Sequence, residues 1–300
     1  QVVQMGTNFV TLPGNNTFLG GVVVSNGTMH VGSGGTTGAI GNGNSTVGGT
    51  GQLVFNRSDA ISFTGVITGD GSLVQLGTGT LTLTASNTIT GSTTVSNGTL
   101  VVSAVNGDLN VSVGTLAPGG LGTVGTLFVG NNLNFNSGAI QVTLNKSLVQ
   151  SNSIINKLGT FTYTAGSLKL QNVGPSLTVG DRFVIFDSPI GNGHTMPIVS
   201  PGFTVQNDLE TDGSVTVKTI VPTIAPTIKS VSLSGTNIVI SGTNNAGNNS
   251  GTYALLSTTN IAVPLSSWTV LNSGSFDSNG NVSITNAVGS GQRFYILRVP

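Results

Sequence analysis

The sequence has no cysteine, a single glutamate and no long apolar run, and each shortage removes a class of answer. Without cysteine the fold cannot be stapled by disulfides and offers no thiolate to a metal or a substrate. Nine Lys plus Arg balance nine Asp plus Glu, only 6% of the chain is charged, and the cations are scattered from Arg57 to Arg298 without a basic run. A phosphate backbone is held by clustered cations, so nucleic acid is excluded as a partner class. No apolar stretch approaches the roughly 18 residues of a membrane helix. Glu210 is the lone glutamate, and the Ala, Leu, Lys and Glu runs that favour surface helix are missing.

What remains is 45 glycines among Asn, Ser, Thr, Val, Ile and Leu. Branched residues suit a pleated, half-buried surface, and Gly, Asn and Ser supply turns, so the reading is all-β. At 37% hydrophobic and net charge 0 the chain should fold rather than stay disordered. It is long enough for one or two domains with sizeable cores. It starts at Gln1, from which we expect a signal peptide to have been removed and the protein to be extracellular or at a cell surface.

Asn16 to Val31, NTFLGGVVVSNGTMHV, matches Asn87 to Val102, NTITGSTTVSNGTLVV, at nine of sixteen positions with an offset of 71 residues. Apolar residues alternate with Thr or Ser, as at Leu81 and Leu83 and again at Leu100 and Val102, so one side of each short strand turns inward. Gly-Thr-Leu recurs at 79–81, 98–100, 114–116 and 125–127. Short strands with self-similarity favour a solenoid over an antiparallel sandwich, here a right-handed parallel β-helix with an inward Val, Leu and Ile core and outward Thr, Ser and Asn ladders.

The run from Gly35 to Val102 also resembles the autotransporter-associated β-strand repeat, or passenger-associated transport repeat. The resemblance rests on Asn56, Arg57, Ser58 and Asp59 in LVFNRSD, on the turn Gly69-Asp70-Gly71-Ser72-Leu73, and on the strand Gly79-Thr80-Leu81-Thr82-Leu83. GTLAPGGLGTVGTLFVGNNLNFNSGAIQVTL (114–144) and LTVGDRFVIFDS (177–188) resemble segments that follow such repeats, extending the likeness to about residues 16–220. It implies an extracellular β-helix displayed on or released from a bacterium, and it does not imply an enzyme. It departs from the autotransporter pattern in that no barrel of alternating strands follows within the chain.

We expect residues 1–220 to form the β-helix domain with an N-terminal assembly segment, and VPTIAPTI (221–228) to be a Pro-containing linker. Residues 229–300 should form a small C-terminal β-sandwich from SVSLSG, NIVISG, TYALLSTT, WTVLNSG, NVSITN and RFYILRV, with Tyr253 and Trp268 as large side chains that the repeats lack.

Candidate sites are few. Asp208, Glu210 and Asp212 at i, i+2, i+4 would share one face of a strand and could hold calcium or supply an acid and a base; the plainer reading is a hairpin turning at Asp212-Gly213. Asp277 in DSNGN resembles part of a calcium loop but lacks the closing glutamate, and a turn at Asn279-Gly280 accounts for it equally. His30 aligns with Val101 of the second repeat and should face outward; His194 has no partner near in sequence. The expectation is therefore no catalytic residue, no metal and no cofactor.

Two classes stay open. The first is a non-enzymatic extracellular structural protein that assembles head to tail; the second is a carbohydrate-binding or carbohydrate-degrading β-helix, with surface polysaccharide as partner. Neither end shows a polar cap or helix, and both are apolar. The expected subunit contacts are Val2, Val3, Met5, Phe9 and Val10 against Phe294, Tyr295 and Ile296, giving a homopolymer without a membrane-spanning segment.

Overall fold

Alternation becomes geometry in Thr80–Leu83, where Leu81 and Leu83 are buried and Thr80 and Thr82 look outward. Thr99–Val102 repeats the pattern with Leu100 and Val102 and lies parallel beside it, Leu81 on Leu100 and Leu83 on Val102. Parallel neighbours need a long connection. Here that connection is one full turn around the molecule, and each turn adds three short strands.

The computed structural model describes residues 1–220, 226–244, 252–289 and 291–298, and the chain divides into two compact units, Gln1–Val221 and Pro222–Pro300. In the first unit the turns stack into a three-faced parallel β-helix. The first face runs Val2–Gln4, Val22–Val24, Ser45–Val47, Ile67–Gly69 and Thr88–Ile89, with a separate sheet of Ala104–Val105, Thr126–Val129 and Ile154–Lys157. The second is an unbroken eight-stranded sheet from Phe9–Leu12 to Phe161–Tyr163. The third begins with the pair Asn15–Asn16 and Ala39–Ile40, breaks, and resumes as seven strands from Ile61–Phe63 to Ile198–Val199. Coils vary from 16 residues, Thr93 to Leu109, to 30, Leu168 to Ile198, because the corners absorb insertions without disturbing the registers.

Inside, side chains form rows along the axis. On the third face Ile61, Leu81, Leu100, Leu116, Ile140, Leu168 and Ile198 follow one another in register. One cluster of buried side chains runs from Val22 to Val217. Outside, hydroxyls and amides stack: Thr46 on Thr68, Asn110 on Asn134, Gln141 on Gln171.

The parallel strands of the solenoid begin at Val2, inside the expected 1–220, and stop at Ile198–Val199. Beyond them Arg182–Val184, Ser214–Ile220 and Phe203–Asp208 form an antiparallel sheet. Its Phe183, Ile185, Phe186, Val215 and Val217 join the solenoid core, and the Phe186 ring meets Phe161 edge-on at 5.3 Å. Ile185 accepts the Ile155 amide. The end read as uncapped is therefore covered, by the hairpin that the plainer reading of the Asp212-Gly213 segment expected.

In the second unit the six expected strands appear as two three-stranded antiparallel sheets. Asn237–Thr243 is flanked by Thr227–Ser234 and Asn281–Ala287, and Thr252–Thr258 by Thr269–Ser275 and Phe294–Arg298. Ile238, Ile240, Tyr253, Leu255, Phe276, Val282, Ile284 and Leu297 form their shared core. The first strand begins at Thr227, so Thr227 and Ile228 are not linker; residues 221–225 lie outside the described set. Among the described residues there is no α-helix, only short 3-10 turns at Gly193–Thr195 and Leu265–Ser267. No helix among the described residues is long and apolar enough to cross a membrane.

Candidate functional site

The acidic trio does not converge. Asp208 ends a strand, while Glu210 and Asp212 sit in the connection before Ser214, where Gly213 has φ +76°. The i, i+2, i+4 argument needed one continuous strand, and the turn removes it. Asp208 accepts from Gln206 Nε2 and Thr216 Oγ1, Glu210 lies 2.6 Å from His194 Nδ1, and Asp212 accepts from Arg182 and Ser214. Each carboxylate has its own partner. His194 and Glu210 are brought together by the fold across sixteen residues, which no local spacing announced.

The other candidates resolve as turns and surface. Asp277 Oδ1 accepts the amides of Asn279 and Asn281, and Gly280 has φ +73°, so DSNGN is a self-capped turn. His30 does face outward, its ring 6.2 Å from that of Phe9 in an edge contact. Among the described residues no three His, Asp or Glu are placed to hold a metal. Of the expected contact residues, Val3, Met5, Phe9 and Ile296 are exposed, whereas Val2, Val10, Phe294 and Tyr295 are half-buried.

Arg57 binds three coils together. Its Nε and one terminal nitrogen grip Asp59, and its remaining donors reach Asn15 Oδ1 and the carbonyls of Gly38 and Thr36. All five guanidinium donors are used, and only 11% of the side chain is exposed. Arg57 borders a cavity of about 460 Å³ at the break in the third face, whose walls include Ile40, Phe55, Ile61 and Phe63.

The residues that sequence reasoning missed are Gln4 and Gln75. Gln75 points inward between Phe55 and Val95, and its amide donates to the carbonyls of Gly77 and Gly79. Gln4, 71 positions earlier, donates to Gly6 and Asn8 in the same way. The next coil answers with the same turn in both places: Asn26 Oδ1 accepts the Gly27 amide, and Asn97 Oδ1 accepts that of Gly98. The repeat is a corner device. The offset of 71 was visible; that a polar residue could sit in a core row was not, because alternation assigns such rows to apolar residues.

The two copies occupy different faces. Val22–Val24 lies on the first face and its counterpart Thr93–Val95 on the second; Thr28–Val31 lies on the second and Thr99–Val102 on the third. The same corner chemistry thus serves at two different corners of the three-sided coil.

Four carboxyls are held below their ordinary values. Asp59 is lowered by the Arg57 hydrogen bond, Glu210 by that of His194, and Asp212 by those of Ser214 and then Arg182. For Asp181 partial burial is the largest influence and acts upward, but the Thr178 amide, Lys146 and the Thr178 hydroxyl together outweigh it. A depressed folded pKa gives stability that is complete above the unfolded value, 3.8 for Asp and 4.5 for Glu, and that is lost as pH falls through the folded value. Melting temperature should therefore hold steady on acidification to about pH 5 and fall below about 4.5. Thermal melts across that range check this; a midpoint that rises on acidification would contradict the pairings.

These corner features carry a family signature. The passenger-associated-transport-repeat family matches residues 3–31 and 73–102, the two segments that hold the Gln and Asn-Gly corners. The chain thus carries the autotransporter-associated repeat. A curated relative is the Adhesin BmaC autotransporter of Brucella suis biovar 1 (strain 1330), 43% identical over 60 residues, 20% of this chain. The chain spans about 2% of that protein's length. No solved structure matches the chain.

Proposed function

We propose that the chain is a non-enzymatic, adhesin-type segment displayed at a bacterial cell surface, in which the solenoid is a stiff spacer and contact surface. One observation carries the reading: the corner staples Gln4 and Gln75, built from the passenger repeat, serve stacking of coils and leave the outer faces as hydroxyl and amide ladders. The adhesin name of the relative supports the same reading. Limited proteolysis of intact producing cells is the test. Solenoid peptides should be released while a cytoplasmic marker stays protected; protection of both sinks the proposal.

The finer reading, a head-to-tail homopolymer, draws support from the exposed Val3, Met5 and Phe9 beside strands paired on one side. The hairpin cap opposes coil-on-coil stacking at the far end. The route left is addition of a first-coil strand to an edge of the second unit, Phe294–Arg298 or Thr227–Ser234, each paired on one side among the described residues. Light scattering of the chain with and without residues 1–12 decides it: mass should grow with concentration only when they are present.

A further inference from the structure

On the outer surface of the second face, Phe9 and Thr11 from one coil, His30, Gly32 and Ser33 from the next and Asn56 from the third surround an open depression of about 390 Å³. Phe9 is 72% exposed. That is unusual here, since Phe55, Phe63, Phe135, Phe183 and Phe186 are all buried in the core. The His30 ring abuts it edge-on, fixing one side and leaving a flat apolar face to solvent. Phe9 aligns with Thr28 in register and so projects from the sheet, away from the core row of Val10 and Met29.

Around this ring stand polar groups with nothing to bind. The hydroxyls of Thr11 and Ser33 and the amide of Asn56 make no hydrogen bond among the described residues, whereas the neighbouring Arg57 has every donor engaged. An aromatic face beside free amide and hydroxyl groups matches the two sides of a sugar ring: the C–H face is apolar, and the rim hydroxyls both donate and accept. With Arg57 committed elsewhere, no free cation lines the depression to favour an acidic sugar. Its openness suits one residue of a polymer lying across the coils rather than an engulfed small molecule.

We propose that Phe9, Thr11, His30, Ser33 and Asn56 form a binding site for one pyranose unit of a neutral polysaccharide, with the sugar stacked on Phe9. This rests on the surface reading above and names its ligand class. The test is calorimetry of the full chain with neutral oligosaccharides: cello-, xylo-, manno- and chito-oligomers as separate probes. At least one should bind with a Kd tighter than about 1 mM. Phe9→Ala should weaken it by at least about tenfold, and Asn56→Ala should weaken it less, both with unchanged melting. Phe128→Ala, which removes a partly exposed aromatic in a later coil, should leave it intact. Failure of every probe, equal binding by Phe9→Ala, or equal loss in Phe128→Ala would overturn the site. Surface release in the proteolysis experiment would be unaffected by any of these results, so the two proposals fail separately. A Phe9→Ala chain that loses concentration-dependent mass without losing any sugar affinity would assign Phe9 to subunit contact and overturn the site as well.

Discussion

Leu100→Asp is expected to abolish cooperative folding of the solenoid. Leu100 has no exposed surface and lies between Leu81 and Leu116 in the axial row of the third face. Truncating a buried leucine alone typically removes about 2–5 kcal/mol. An unpaired carboxylate adds a desolvation penalty of several kcal/mol even after its pKa rises to shed the charge. Together these approach the roughly 5–15 kcal/mol by which domains are stable. Each coil rests only on its neighbours, so a disrupted rung weakens the coils on both sides. Thr82→Asp, one strand away but facing outward, should change stability by only about 0.5 kcal/mol. Soluble yield and circular-dichroism melting separate the two. A Leu100→Asp chain that melts like the parent would mean that the inward row is misassigned.

That contrast also marks how far the sequence could be read. Period-2 alternation distinguishes inward Leu81 and Leu83 from outward Thr80 and Thr82 without any structure, and the six strands of the second unit follow from the same rule. It cannot say which face a strand occupies. The repeat copies therefore look equivalent in sequence and sit one face apart in space. Nor can alternation separate a further parallel coil from an antiparallel hairpin: Phe203–Asp208 and Ser214–Ile220 carry the pattern of solenoid strands and pair with each other instead. At the acidic trio the plainer reading, a hairpin turning at Asp212-Gly213, was legible, and the turn at 209–213 disperses the three carboxylates. The sequence concealed the His194 and Glu210 pair because the contact is made by tertiary folding. The platform around Phe9 was hidden for the same reason: its residues come from three coils, and Phe9 was legible only as an apolar residue near the start of the chain.

Within the Gly-Thr-Leu recurrence, Gly98 has a stricter cause than strand propensity, and one substitution exposes it. Gly98 has φ +58°, in the left-handed region, and a Cβ there would overlap the carbonyl oxygens of Gly79 and Gly77 in the coil beneath. Gly27, its counterpart in the first repeat, meets the carbonyls of Asn8 and Gly6 in the same way. The left-handed conformation alone costs a non-glycine residue about 1–2 kcal/mol. The overlap is additional. Backbone oxygens cannot rotate aside as a side chain would, so the two coils must separate at that corner, and overpacking of this kind typically costs a further ~1–3 kcal/mol. Gly98→Ala should therefore destabilise the solenoid by about 2–5 kcal/mol. Gly122 is the natural control, with φ +75° and open space where its Cβ would go. Gly122→Ala should show the dihedral cost alone, about 1–2 kcal/mol. Urea unfolding of the two variants against the parent isolates the contribution of coil contact from that of backbone conformation. Equal losses would show that the corners are not in contact and that the conserved spacing of the two repeat copies has some other origin; a larger loss for Gly98→Ala ties the sequence motif directly to the stacking distance.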